Sequence, residues 1–331
     1  MKLAINDFTV PLRFSFAHAS AERRETETLL VTAVSADGTH TGLGEACPRP
    51  YVTGETVDSV KAFFTDQHAS LATVTDLAGL RGWMAKHETA IDRNPAAFAA
   101  MEGAIIDALA RQRGETLEQF LGLPSLAAQY QYSAILGDAR PWKFHLQAMA
   151  YFLAGFRDFK VKLSPDIDRD RGKFRALRRL SRFVPLRIRA DANNLWSDPD
   201  ACIRHVERLP VPLQALEEPV AARDRQAQRD IAHRLGIRVI LDESLIGPGD
   251  LSAYGEMAHL VIANIRISKN GGILRSIDIG RRAMALGMPV IIGAHVGESS
   301  ILSRAALAVA TAGFSLMVAR MAVVSHRRRV G

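Results

Sequence analysis

Residues 3–12 and 26–36 alternate apolar and polar side chains, with a polar stretch, FAHASAERRETE, between them. A period of two sends successive side chains to opposite faces, so both read as β-strands, the second ending at a turn around Asp37-Gly38. The period lengthens to that of a helix over 56–69, 76–86 and 95–112. The last of these, NPAAFAAMEGAIIDALARQRG, carries small residues on one face and stops at a glycine. Residues 1 to about 115 therefore read as a small α+β unit. From about residue 129, seven β-rich runs alternate with helical segments: YQYSAIL, FRDFKVKL, LRIRAD, LQALE, IRVILDE, LVIANIRIS and PVIIGAH. Such alternation builds a parallel sheet from βαβ units. Seven runs in about 165 residues are too many for a typical doubly wound domain, which predicts a TIM-like barrel.

At 331 residues, 48% hydrophobic and 23% charged, the chain has an ordinary soluble composition, with room for two domains or a barrel with an appendage. No apolar run approaches the ~20 residues that span a bilayer. The start, MKLAINDFTVPLRF, reads as a strand rather than a signal peptide, so a cytoplasmic protein is expected, with no membrane partner. Cys47 and Cys202 form no CxxC pair, which excludes a disulfide scaffold and a thiolate zinc site. The net charge of +7 falls to +3 without Arg320, Arg327, Arg328 and Arg329 near the end of the chain. The other basic residues lie in helical segments such as RDRGKFRALRRLSR, where a solvated face explains them, and no nucleic-acid partner is expected.

Charged residues then fall in phase with the runs. Lys162 ends the second, Asp191 the third, Glu217 the fourth and Asp242 the fifth; Lys269 follows the sixth, and His295 ends the seventh. The spacings are 29, 26, 25, 27 and 26 residues, each one β/α unit. All six therefore converge on the C-terminal mouth of a closed barrel, where barrel active sites lie. Asp191, Glu217 and Asp242 together repel one another unless a cation holds them, and three hard oxygen ligands suit Mg²⁺ better than zinc. Each acid could instead cap the helix that follows it. Lys160 and Lys162, two apart in FKVKL, project to one side of their strand. Each disfavours charge on the other, which suits a lysine to act as a base. Lys269 is expected across the mouth from Lys162.

The set KVK at 160–162, DAN at 191–193, EEP at 217–219, DES at 242–244 and KNGG at 269–272 resembles the enolase superfamily, over most of the chain. A KxK strand with a lysine before Gly-Gly is similar to the muconate-lactonizing subgroup, and GLGEACPRPYVTGETVDSV to the capping segment of its dipeptide epimerases. The resemblance implies an α/β fold, a modified TIM barrel of (β/α)7β type with an N-terminal α+β capping domain. It divides the chain into a cap (1–115), a catalytic barrel (116–319) and an atypical basic tail (320–331). It implies an isomerase: one Mg²⁺ per site, with Mn²⁺ as a substitute, on Asp191, Glu217 and Asp242; Lys162 and Lys269 as base and acid on opposite faces of a carboxylate substrate; and Lys160 adding positive charge. Arg24, Ser133, Asn193, His295 and Glu298 are implied substrate contacts, the substrate being a dipeptide and the protein a homo-oligomer. Cycloisomerisation, dehydration of an acid sugar or hydroxy-amino acid, and a metal-binding barrel of impaired activity begin from the same motifs and stay open. FSLMVA (314–319) is the candidate eighth strand, and no Asp-x-Asp pair, which would hold a substrate ammonium, follows it. RMAVVSHRRRVG (320–331) is expected to be either a shortened, frameshifted ending or a natural basic terminus.

Overall fold

The structure is a computed structural model that describes residues 1–9, 11–18, 21–25, 27–127, 129–313 and 316–318, with the backbone alone at 11–18, 21–25 and 316–318. The tail at 320–331 and the side chain of Arg24 lie outside the described residues.

The N-terminal unit holds β1 (Lys2–Phe8), β2 (Pro11–His18), β3 (Ala21–Glu25), β4 (Thr28–Val34) and β5 (Thr41–Ala46). Strands β1, β4 and β5 form an antiparallel sheet in that order. The stretch expected as a polar loop is instead a hairpin, β2 pairing with β3 through Phe16↔Arg23 and His18↔Ala21. A hairpin satisfies its own backbone groups by pairing, so its side chains need not be apolar. Five helices follow: α1 (Val57–Leu71), α2 (Leu77–Lys86), α3 (Glu88–Arg93), α4 (Pro95–Gln112) and α5 (Leu117–Phe120). The small-residue face of α4 lies directly on β5. A Cβ at Gly44 would stand 1.9 Å from the Ala100 carbonyl oxygen, and one at Gly42 2.1 Å from that of Ala104. Glycine on the strand and alanine on the helix are thus what lets the two backbones touch.

The rest is a β/α barrel. In chain order it runs β6 (Ser133–Leu136), α6 (Pro141–Leu153), β7 (Asp158–Lys162), α7 (Ile167–Leu180), β8 (Arg187–Asp191), α8 (Pro199–Glu207), β9 (Ala215–Glu217), α9 (Arg225–Leu235) and β10 (Arg238–Leu241). It continues with α10 (Pro248–Ser252), β11 (Val261–Ile265), α11 (Ile273–Ala285), β12 (Val290–Ile292), α12 (Ser300–Ala310) and β13 (Leu316–Val318). The eight barrel strands lie side by side in sequence order, the paired ones parallel. The eighth expected strand is therefore present, and β7, with its two lysines, is flanked by β6 and β8 rather than lying at an edge. Among the described residues no helix is long and apolar enough to cross a membrane.

Buried carboxylates join the two units. Glu102 on α4 accepts from the amides of Ile273 and Leu274 at the start of α11, and Glu45 on β5 accepts from Ser299 N (2.8 Å) and Leu302 N (3.5 Å) at the start of α12. Both helix ends offer unpaired N–H groups and the positive end of the macrodipole. Arg49, fully buried, donates from the cap to the carbonyls of Pro48 and Val296.

Two predictions follow from these contacts. Gly44→Ala forces α4 off β5 and should cost about 1–3 kcal/mol of unfolding free energy by urea denaturation, as overpacking does; an unchanged midpoint would refute the close approach. Burial pushes the Glu102 carboxyl up to about 7 against its helix-amide bonds. Between about 4.5 and 7 the fold keeps a proton that the unfolded chain has lost, so this group makes stability fall as pH rises. Glu102→Gln should flatten that part of the pH–stability profile, measured by thermal melts from pH 4 to 8.

Candidate active site

Inward-facing side chains follow a period of two along each barrel strand. Ala215, Ile240, Ile262 and Ile291 pack together as an inner cluster of four strands. Steps of two from them lead to Glu217, Asp242, Asn264 and Arg266, and Gly293 and His295. On β7 and β8 the same phase carries Lys160, Lys162 and Asp191, with Lys162 opposite Asp191 and Asp191 opposite Glu217 in the pairing.

At the mouth these groups form one alternating chain of charge. Lys162 Nζ lies 2.7 Å from Asp191 Oδ2, which is 2.7 Å from Lys160 Nζ. Lys160 reaches Glu217 Oε1 at 2.7 Å, and the Arg266 guanidinium joins that oxygen at 3.4 Å. Arg266 also pairs with Asp242 Oδ2, and Asp242 Oδ1 meets Lys269 Nζ at 3.0 Å. All three carboxylates are buried. Burial pushes the Asp191 carboxyl up, but Lys160 and Lys162 outweigh it and hold it well below the usual range. Asp242 is likewise held low against burial, by Arg266, Lys269 and Lys160. Glu217 goes the other way, raised by burial and by Asp191 and Asp242 on either side. Burial pulls Lys160 down, yet Asp191 and Glu217 keep it above the usual lysine value, so the expected lowering is not found for that residue.

Four of the expected site residues are held by neighbouring groups. Lys269 lies four residues beyond β11, fully buried against the mouth carboxylate Asp242, and donates to Asp242 O (2.8 Å), Asp242 Oδ1 (3.0 Å) and Asn264 O (2.7 Å). An ammonium has three donors, and all three are taken. The group four strands round from Lys162 is Arg266. Ser133 begins β6 and is hydrogen-bonded by buried Arg189, which also pairs with Asp158 at 3.1 Å in the layer beneath the mouth. Asn193, at φ 47°, accepts from Lys162 Nζ and donates its backbone N–H to Asp191 Oδ1 at 3.1 Å, so it orients the lysine. Glu298 accepts the His295 backbone N–H at 2.9 Å and shapes the turn after β12. His295, two steps of the strand period beyond Ile291, is buried.

Two further residues belong to the site, Arg266 and Glu218. Arg266 stands in phase with Ile262 and Asn264, a signal that the Gly-Gly beyond Lys269 masks. Glu218 accepts from Asp242 N (2.6 Å), Ser244 N (2.7 Å) and Ser244 Oγ (2.8 Å), and so fixes the loop that carries Asp242.

As they stand, no three His, Cys, Asp or Glu side chains among the described residues are gathered closely enough to cage a metal ion. Lys160 and Arg266 stand between the carboxylates. In kind, however, the set fits a hard divalent cation: oxygens of Asp191 and Glu217 already converge on one cationic atom, Lys160 Nζ, and all three side chains offer hard oxygen donors. An ion would compete with Lys160 and Arg266 for them.

The fold is a capped β/α barrel with carboxylates and lysines at successive strand ends. The chain belongs to the enolase superfamily: residues 143–329 match the "Enolase C-terminal domain-like" family model. It is 30% identical over 312 residues to the L-Lys-D/L-Arg epimerase of Methylococcus capsulatus, covering 91% of this chain and 84% of that protein. It is 23% identical over 311 residues to the L-Ala-D/L-Glu epimerase of Clostridium acetobutylicum, covering 93% and 86%. The Methylococcus capsulatus dipeptide epimerase complexed with Mg and L-Arg-D-Lys matches with a TM-score of 0.81 at 27% identity, over 96% of this chain and 89% of that one. The N-succinyl Arg/Lys racemase of Bacillus cereus shares the fold, with a TM-score of 0.88 at 21% identity over 96% and 86%. The protein is an enzyme of the isomerase type, with epimerases and racemases as its relatives.

Proposed function

We propose that the enzyme removes the proton α to a carboxylate and returns one to the opposite face, epimerising a dipeptide or a related amino-acid derivative. The observation that carries this is the alternating ion-pair chain, which sets Lys162 at its outer end beside three buried carboxylates at a barrel mouth. Lys162 Nζ, oriented by Asp191 and Asn193, exchanges the proton on one face. Lys160 keeps its charge because Asp191 and Glu217 hold it, and it stabilises negative charge that spreads into the substrate carboxylate. Asp191, Glu217 and Asp242 would hold a Mg²⁺ ion, or Mn²⁺ in its place, which supplies further positive charge at that carboxylate. Glu218 keeps Asp242 in place through its loop amides. The relatives' dipeptide substrates support the same class for this chain.

Deuterium wash-in from D₂O at the α-carbon of a dipeptide panel tests the chemistry. Lys162→Ala should slow exchange on one face by about 10²–10⁴-fold, the usual worth of a positioned proton carrier; wild-type rates in that variant would sink the assignment. Metal binding has its own test. Mg²⁺ at a hundred times its dissociation constant should stabilise the fold by about 2.7 kcal/mol. Asp191→Asn, Glu217→Gln and Asp242→Asn should each reduce that Mg²⁺-induced rise in Tm, and a flat titration of metal-free wild type counts against the site.

A further inference from the structure

A barrel helix that faces water carries polar side chains on its outer face and apolar ones on its inner face. Two helices here follow that rule: the exposed residues of α8 include Asp200, Arg204 and Glu207, and those of α9 include Arg225, Gln226 and Arg234. Helix α6, PWKFHLQAMAYFL, does not. Phe144 and Ala148 are buried, while Trp142, Leu146, Met149 and Leu153 are 63%, 62%, 45% and 76% exposed. At about 100° per residue these four fall within about 60° of one another and form one stripe along the helix. His145 is the one polar residue among the exposed positions of α6, and none of them is charged.

Phe183, 78% exposed, extends the stripe. Helices α6 and α7 pack side by side and run the same way, so Leu153 at the end of α6 and Phe183 just past the end of α7 stand at one end of the barrel. Together the five side chains leave about 650 Å² open, at the upper limit of what a monomer shows. Pairing two copies would remove about 1,300 Å² from these side chains alone, within the range of about 1,200–2,000 Å² that stable interfaces bury.

Charge on α7 gives the direction. Asp166 and Asp168 are exposed at its start, and Arg175, Arg178 and Arg179 are exposed towards its end. When two copies of α6 lie antiparallel about a two-fold axis that crosses them, the two α7 helices face each other with their ends reversed. The acids of each copy then meet the arginines of the other, whereas parallel pairing sets the α7 helices on opposite sides. Antiparallel pairing also opposes the macrodipoles of the two α6 helices.

We infer that the α6 stripe is the contact face of a homodimer, covered by the α6 of a second copy of this chain in antiparallel orientation. Trp142 of each copy meets Leu153 of the other at the ends of the contact, and Leu146 meets Met149 beside the axis. Helices α6 and α7 flank β7 in the chain, so the contact braces the strand that carries Lys160 and Lys162.

Sedimentation velocity on a dilution series of the full chain should show twice the mass of one chain, falling to one at low concentration. Leu146→Glu with Leu153→Glu should raise the dimer Kd by about 10²-fold or more, whereas Arg204→Glu on α8 should leave it unchanged. Orientation is read by cross-linking, with Cys47 and Cys202 both buried and out of reach. Trp142→Cys with Leu153→Cys should give a covalent dimer under mild oxidation, and Trp142→Cys alone should not. If the glutamate pair collapses the fold, Leu146→Ala with Leu153→Ala is read in its place. A wild type that is monomeric throughout overturns the inference, and a drop in that monomer's Tm on introducing the glutamates points instead to residues 319–331 of the same chain as the cover. An oligomer that the stripe variants leave intact puts the contact elsewhere and overturns it too. A cross-link through Trp142→Cys alone, or none in the cysteine pair, overturns the antiparallel contact.

Discussion

The rest of the site depends on the pairing of Glu217 from both sides, by Lys160 of β7 and by Arg266 just beyond β11. Glu217 is buried between two other carboxylates, and a buried charge without a partner costs several kcal/mol. Its two partners come from strands on either side of β9, two places away in each direction in the sheet. The pairing therefore holds only if β7 to β11 end level with one another and curl inward. Register supplies the first condition, with Lys162 opposite Asp191 and Asp191 opposite Glu217. Charge at the mouth and curvature of the sheet are thus one constraint, and neither is satisfied without the other.

The cap is coupled to the same half of the barrel. Glu102 sits on the N-terminus of α11, which follows Arg266 and Lys269, and Glu45 on that of α12, which follows His295. Arg49 reaches the carbonyl of Val296, next to His295. Three buried cap residues therefore anchor the two β/α units that bear the far face of the mouth. A carboxylate at a helix N-terminus gains from both free N–H groups and macrodipole, so the cap is positioned by helix ends as well as by apolar packing of α4 on β5.

Much of this was legible in the sequence because barrel geometry converts spacing into direction. One β/α unit between charged residues brings Lys162, Asp191, Glu217 and Asp242 to consecutive strand ends, and the register sets Lys162 opposite Asp191 and Asp191 opposite Glu217. Beyond the strand ends the count is less direct: Lys269, four residues past β11, is buried against Asp242, whereas Arg266, one residue past it, still follows the strand's alternation. The β2–β3 hairpin was read as loop because its polarity hid a pairing that lies in the backbone. Side-chain pKa directions were the least legible, since Lys160 is governed by carboxylates from two neighbouring strands.

Charge counting around the mouth suggests why a carboxylate would enter it. Four basic groups, Lys160, Lys162, Arg266 and Lys269, face three acids, Asp191, Glu217 and Asp242. His295 adds no charge, being held neutral by burial and the nearby arginines. Glu243 lies beside the group, raised well above the usual carboxylate value by burial and by Asp242, which favours its neutral form. The ring is thus one negative charge short, and in a low-dielectric mouth that deficit favours an anion of the right size. A substrate carboxylate supplies it, and a divalent ion would widen the deficit. One arrangement of charge therefore both draws the carboxylate in and holds Lys162 beside it.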